Sequence, residues 1–161
     1  MRVVLQRATS AAVRVDGETV GVIGPGFVAF VGIAEGDSED DARRLAAKAA
    51  ELRIFPDGEG RFNRSIVEVS GEALVISQFT LHADIRRGRR PSFNAAARPD
   101  VAEPLVELFA TTLEGLGIRV ARGRFGARMA VDVFNDGPVT IILDTADLER
   151  PRRDRQRISN G

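Results

Sequence analysis

The chain contains no cysteine, no tryptophan and no tyrosine, and has one histidine, His82, and one lysine, Lys48. Without cysteine there is no disulfide scaffold, no thiolate nucleophile and no Cys-based metal site. With His82 as the sole imidazole, a zinc site would have to lean on carboxylates, a poor match to the usual ligand sets, so neither a metal nor another cofactor is expected. No apolar run approaches the roughly 20 residues that a membrane span requires, and no membrane partner is expected. Arg2 is followed by only three apolar residues before Gln6 and Arg7, so the opening segment reads as a strand rather than a secretory leader, and a cytoplasmic location is expected.

An excess of one charge is also lacking. The 23 basic and 23 acidic residues give a formal net charge of zero, so overall electrostatics do not announce a nucleic-acid partner as a strongly basic domain would. The distribution says more. Arg86, Arg87, Arg89 and Arg90 crowd one loop, and Arg119, Arg122, Arg124 and Arg128 follow later. Arginine replaces lysine along the whole chain, so its abundance is not by itself a sign of RNA binding. Taken alone, the run from Arg86 to Arg90 reads as a solvated loop.

What is present fits one soluble domain. The 161 residues, 43% hydrophobic and 29% charged, suffice to bury roughly 70% of the unfolded surface in a single core. Strands are predicted at Val3 to Arg7, Ala11 to Val15, Thr19 to Ile23 and Phe27 to Ile33, with turns at Asp16-Gly17 and Gly24-Pro25-Gly26; Asp-Gly between alternating runs is a hairpin signal. Ser38 with Asp41 three residues on forms a capping box, and Ala42, Leu45, Ala46, Ala49 and Leu52 recur at helical spacing. A turn at Pro56-Asp57-Gly58 and a weak strand over Ile66 to Val69 precede a strong strand from Ala73. A second helix starts at Asp100 or at Pro104 and runs to about Leu113, burying Val101, Leu105, Leu108 and Phe109. Three strands then follow, Arg119 to Arg122, Met129 to Phe134 and Val139 to Leu143. This order is that of an α+β single domain, helices packed on a curled antiparallel or mixed sheet.

Two short segments about sixty residues apart carry the chemistry: Ser77-Gln78-Phe79-Thr80-Leu81 and Asn135-Asp136-Gly137-Pro138-Val139-Thr140. The first closes the apolar run Ala73-Leu74-Val75-Ile76, so its polar groups arrive where a buried strand meets solvent. In the second, Gly137 lets backbone approach a ligand closely, and Gly-Pro is the kind of bond that adopts cis at modest cost. For hydrolysis of an ester, Ser77 or Thr80 is a possible nucleophile if a base lies beside it. In an extended strand Thr80 and His82 share a face about 6.6 Å apart, which permits a Thr-His pair. The alternative reading of His82 is a partly exposed strand-end residue.

These segments, together with Met1-Arg2-Val3-Val4-Leu5-Gln6-Arg7, Leu52-Arg53-Ile54-Phe55, Gly88-Arg89-Arg90-Pro91-Ser92-Phe93 and Gly123-Arg124-Phe125-Gly126, resemble the D-aminoacyl-tRNA deacylases in order and spacing, from Met1 to about Asp144. The resemblance implies a barrel-like fold and a homodimer that hydrolyses the ester of D-aminoacyl-tRNA, with water as nucleophile and a ribose hydroxyl of the terminal adenosine assisting. It implies catalytic roles for Gln78, Phe79 and Thr80, with oxyanion donors among the backbone N–H groups around Gln78 and Phe79. Ser77, Phe125 and Met129 would contact substrate. Gly137 and Pro138 of one subunit would reach into the partner's pocket and reject L-aminoacyl esters, while glycine mischarged on tRNA would pass the filter. Arg7 matches a position that supports this motif; as a residue it reads equally as a surface strand arginine. Arg128 stands where the family often has an apolar residue. Residues 1–145 are then the deacylase domain. Residues 146–161, arginine-rich and nearly devoid of apolar side chains, read as a disordered tail. Two other classes remain open on the sequence: an RNA-binding module using Arg86 to Arg90 on phosphate, and a small-molecule esterase using Thr80 and His82.

Overall fold

The computed structural model describes residues 1–149. Its frame is a mixed sheet in which one long strand, β1 (Arg2–Val15), touches three others. Its first half pairs antiparallel with β3 (Gly26–Gly32), its second half with β2 (Glu18–Ile23), and its other edge with β8 (Ala130–Asp144) along nearly its whole length. β6 (Glu72–Ser77) lies parallel to β3, and β7 (Arg119–Arg122) parallel to β6. The sheet curls into a nearly closed barrel. The curl brings β2 so close to β7 that a Cβ on Gly21 would stand 2.7 Å from the Arg122 carbonyl oxygen, which only glycine tolerates.

Two helices cover the sheet: α1 (Glu39–Glu51) and α2 (Pro99–Gly115). Ser38 and Asp41 form the expected capping box, each side chain taking the other's backbone N–H. α2 starts elsewhere than either expected position. Arg98 is extended, as a residue before proline prefers, and Pro99 takes the first helical turn where its missing N–H costs nothing; Pro104 lies inside the helix. In the helix that starts at Pro99, Val101 is exposed and Ala102 lies in the core instead. Val3, Leu5, Phe27, Ala29 and Val75 of the sheet pack with Leu45, Ala46, Leu105, Phe109 and Leu113 of the helices. Phe109 is fully buried, so truncation to alanine should cost about 3–5 kcal/mol. Val13, Ile23, Val28, Leu74 and Ile76 form a second apolar cluster.

Three other expectations are corrected. The pairs of strands read as separate, Val3 to Arg7 with Ala11 to Val15 and Met129 to Phe134 with Val139 to Leu143, are continuous as β1 and β8. Ile66 to Val69 is a turn, not a strand: the Glu68 carboxylate accepts from the Ser65 N–H at 2.6 Å while the Ser65 hydroxyl accepts from the Glu68 N–H at 3.3 Å. That reciprocal pair is a capping box and winds the chain. A small hairpin, β4 (Phe55–Pro56) with β5 (Phe62–Arg64), surrounds the Pro56-Asp57-Gly58 turn. The first residues assigned to the tail belong to a short helix, α3 (Thr145–Glu149); the remainder of that expected tail, 150–161, lies outside the described residues.

Candidate active site

β6 delivers Ser77 to the mouth of an apolar cavity of about 530 Å³. Its floor is Val31, Ile33 and Ile76; Phe93, Ala97 and Val106 line one side, and Phe125, Met129 and Val131 another. Gln78 and Phe79 close the rim. The Phe79 and Phe93 rings meet edge to face, centroids 5.0 Å apart. Phe79 is 58% exposed, a large apolar surface left open at the lip of the cavity.

Beyond Ser77 the chain is not extended. Residues Phe79–His82 make one turn of 3₁₀ helix, so Thr80 and His82 do not share a strand face. The Thr80 hydroxyl accepts a short hydrogen bond from the Gln78 amide side chain. The buried Nε2 of His82 has no hydrogen-bond partner among the described residues. The Thr-His pair is therefore not formed, and Thr80 has no adjacent base. The Gln78 backbone N–H is engaged as well, donating to the Val31 carbonyl at 2.7 Å. Of the N–H groups expected to serve an oxyanion, those of Phe79 and Thr80 remain without a backbone acceptor among the described residues.

The second segment lies in β8 as a bulge. Gln6 of β1 faces Thr140, and Ala8 faces Asn135, so the single residue Arg7 stands opposite four, Asp136 to Val139. The Gly137–Pro138 bond is cis and Gly137 has φ 121°, a region open to glycine. The Asn135 side chain ties the bulge at its base, accepting from the Val139 N–H and donating to the Thr140 hydroxyl, both at 3.1 Å. Arg7 holds it from below. Alternation places Arg7 on the same inner face as Val3 and Leu5, and it is buried. Its guanidinium donates to the Ile54 carbonyl at 2.6 Å and to the Asp136 carbonyl at 3.3 Å, lies 3.2 Å from the Asp136 carboxylate, and stacks over the Phe62 ring at 5.2 Å. A buried charge with this set of acceptors is satisfied rather than stranded. The surface-arginine reading of Arg7 is thereby set aside.

Ser77, Gln78, Phe79, Phe125 and Met129 gather around one cavity, with Thr80 beside it. Gly137 and Pro138 do not line that cavity; they stand exposed on the bulge. Sequence reasoning gave no role to Phe93, the ring partner of Phe79, or to Asp136, Ile54 and Phe62, which fix Arg7. Phe93 was within reach as the end of the Gly88 to Phe93 motif. Asp136 was within reach as the acid beside Gly-Pro.

Ionic contacts near the cavity are selective. Arg122 donates to both Glu107 and Glu114, which raises its pKa and lowers that of Glu114. Arg98 pairs with Asp100. Arg86 chelates Asp84, whose pKa falls to about 2, chiefly through the hydrogen bonds from the Arg86 side chain.

The sequence model of the D-Tyr-tRNA(Tyr) deacylase family matches residues 4–144. A D-aminoacyl-tRNA deacylase of Roseiflexus castenholzii is 57% identical over 157 residues, 98% of this chain and 100% of that protein. One from Chloroflexus aurantiacus is 53% identical over 160 residues, 99% of this chain and 100% of its own length. Among solved structures, a c-Myc DNA unwinding element binding protein superposes with a TM-score of 0.84 at 36% identity, covering 90% of this chain and 99% of that one. A probable eukaryotic D-amino acid tRNA deacylase shares the fold, with a TM-score of 0.76 at 20% identity over 88% of this chain and 97% of its own.

Proposed function

The chain belongs to the D-Tyr-tRNA(Tyr) deacylase family, and from that premise we propose that it hydrolyses the ester of D-aminoacyl-tRNA, releasing a free D-amino acid and tRNA. Water adds to the ester carbonyl, the bond to the ribose oxygen breaks, and that oxygen leaves with a proton. The neighbouring ribose hydroxyl of the terminal adenosine assists the water, which fits a cavity whose lip offers hydroxyl and amide groups but no base beside Thr80. Holding water and ester in near-attack geometry supplies most of the acceleration, up to roughly 7–11 kcal/mol in favourable cases.

Each residue then has a task. Phe79 and Phe93 offer aromatic surface to the adenine, worth about 1–3 kcal/mol per stacked base. Ser77 and the Gln78 side chain orient the nucleotide. The free N–H groups of Phe79 and Thr80 meet the developing oxyanion. Thr80 itself serves as the acceptor that fixes Gln78. Phe125 and Met129 wall the aminoacyl end.

The chiral filter is the Gly137–Pro138 bulge of a second subunit. The observation that carries this reading is the pairing of a cavity that lacks the bulge with a bulge that is rigidly held yet exposed. Two large apolar side chains stand open beside the bulge: Ile142, opposite Val4, and Phe134, opposite Ser10, are 63% and 67% exposed. A two-fold dimer through this face would bury it and set two composite sites. Backbone of the bulge accepts the substrate ammonium and leaves no room for an L side chain, whereas glycine, having none, is also cleaved.

The deciding experiment is deacylation of one tRNA charged in turn with D- and L-tyrosine, after chelator treatment of the protein. Rapid loss of the D ester alone is expected. Equal loss of both would remove the filter, and cleavage of neither would remove the deacylase reading.

A further inference from the structure

Nine arginines among the described residues form ion pairs with carboxylates: Arg2, Arg7, Arg14, Arg43, Arg61, Arg86, Arg98, Arg119 and Arg122. Arg64 donates to the Glu68 carbonyl, and Arg44 and Arg53 lie in the fields of Asp41 and Glu68. Five remain that no carboxylate among the described residues engages: Arg87, Arg89, Arg90, Arg124 and Arg128. All five are exposed, and all five lie on the two loops that flank the cavity.

Each loop is tied into the cavity wall. In the segment from Arg124 to Met129, Phe125, Ala127 and Met129 line the cavity while Arg124 and Arg128 alternate with them on the exposed side. The other loop is clipped at its neck by two backbone hydrogen bonds, Asp84 N–H to Ser92 O at 2.7 Å and Ser92 N–H to Asp84 O at 2.9 Å. One residue past the clip, Phe93 enters the cavity wall against Phe79. Asp84, the acid at the neck, is neutralised by Arg86. The carboxylates of Asp100, Glu107 and Glu114 are likewise taken by Arg98 and Arg122. A chain of zero net charge thus gathers the five arginines that no described carboxylate engages on the two loops beside its aromatic-lipped cavity, with Glu103 of α2 the acid next to Arg124, an excess of positive charge that attracts polyanions.

We propose that Arg87, Arg89 and Arg90 on one loop and Arg124 and Arg128 on the other form a collar that grips the phosphates of the RNA strand leading out of the cavity. The proposal rests on the reading that the cavity receives the aminoacylated 3′ end. It assigns to the collar the affinity for RNA and not the chemistry. Contacts of this kind position the strand without reading bases, so the collar serves tRNAs of any sequence.

The test compares two substrates that share the reacting ester: D-tyrosyl-tRNA and the D-tyrosyl ester of adenosine alone. The variants are R87Q/R89Q/R90Q, R124Q/R128Q and, as a control remote from the rim, R43Q on α1. With tRNA, both collar variants should raise KM about tenfold or more at unchanged kcat, and the salt slope of log kcat/KM should fall by about 2 for the triple variant and about 1.4 for the double. With the adenosine ester, kcat/KM should not change. Unchanged KM and slope on tRNA overturn the collar, as does an equal loss on both substrates, which marks a distorted cavity wall, or an equal loss in R43Q, which marks bulk charge. Binding of uncharged tRNA, followed by fluorescence anisotropy across salt, needs no ester cleavage. If the parent protein cleaves neither ester, the deacylase reading falls, and this binding series still decides the collar by whether the variants lose salt-dependent affinity.

Discussion

The cavity beside β6 and the bulge in β8 are built from opposite materials. The cavity is a gap between apolar side chains that belong to the core, walled by Val31, Ile76, Val106 and Phe125, and its shape follows from how sheet and helices pack. The bulge is a stretch of backbone whose shape is dictated by polar contacts, with a buried arginine below and an asparagine across its base. Hydrophobic packing tolerates small changes at modest cost. A buried charge does not, because removing one partner strands the others. The comparison teaches that the proposed site would join a forgiving container to an exacting discriminator, and that the two should fail in different ways.

The sharpest break is between subunits. Phe134→Arg with Ile142→Arg places charge on the open face around the bulge, and should yield a monomer by size-exclusion chromatography that melts within about 4 °C of the parent yet has no deacylase activity. An active monomer would sink the composite site. Next comes the clamp. Arg7→Met should cost about 2–4 kcal/mol in urea unfolding, since the Ile54 and Asp136 carbonyls lose their donor, and displacement of the bulge should lower kcat/KM about a hundredfold. Arg7→Lys should recover part of the stability and little of the activity, because an ammonium cannot reproduce the guanidinium fork; full activity in Arg7→Lys would contradict the clamp. On the cavity side the balance reverses. Phe79 is exposed, so Phe79→Ala should leave stability within about 0.5 kcal/mol while raising KM about tenfold through lost stacking. A large fall in stability without a change in KM would make Phe79 an ordinary packing residue.

The smallest effect concerns acid. Asp84 is ionised down to about pH 2, below its ordinary 3.8, because the folded loop donates hydrogen bonds to the carboxylate from Arg86. A depressed carboxylate stabilises the fold above its unfolded pKa, and that contribution is lost as the pH falls through the folded value, here from about 4 to about 2. Carbon-detected NMR titration of Asp84 should therefore give a midpoint near 2, returning toward 3.8 in Arg86→Ala. A midpoint already near 3.8 in the parent would mean that the neck of the arginine loop is not held by this pair.

Much of the architecture was legible because the signals were local. Asp16-Gly17 makes its hairpin with both residues at positive φ, and the Ser38-Asp41 capping box starts α1 as read. The errors arose where a local signal was outvoted or a second one overlooked. Gly137-Pro138 falls between two runs read as separate strands, yet β1 runs unbroken beneath it and keeps both halves in one ladder, so the break becomes a bulge. Ser65 and Glu68 carry the same capping signature as Ser38 and Asp41, and it overrides the β-branched residues between and after them. Gathering Ser77 to Phe79 with Phe125 and Met129 required the long-range pairing of β6 with β3 and the return of β8, which no short window contains. The burial of Arg7 was accessible through alternation with Val3 and Leu5, but its acceptors, 47 and 129 residues away in sequence, were not.

That the bulge stands apart from the cavity of its own chain has a genetic reading. In the proposed homodimer, a lesion in the bulge and a lesion in the cavity would each abolish activity, yet they are complementary. In a mixed dimer one site collects both defects and the other collects neither. Co-expressed in equal amounts, two dead alleles such as Gly137→Ala and a cavity-filling variant would therefore restore about a quarter of the sites, and the pattern of which alleles rescue which would map the two halves without any structure.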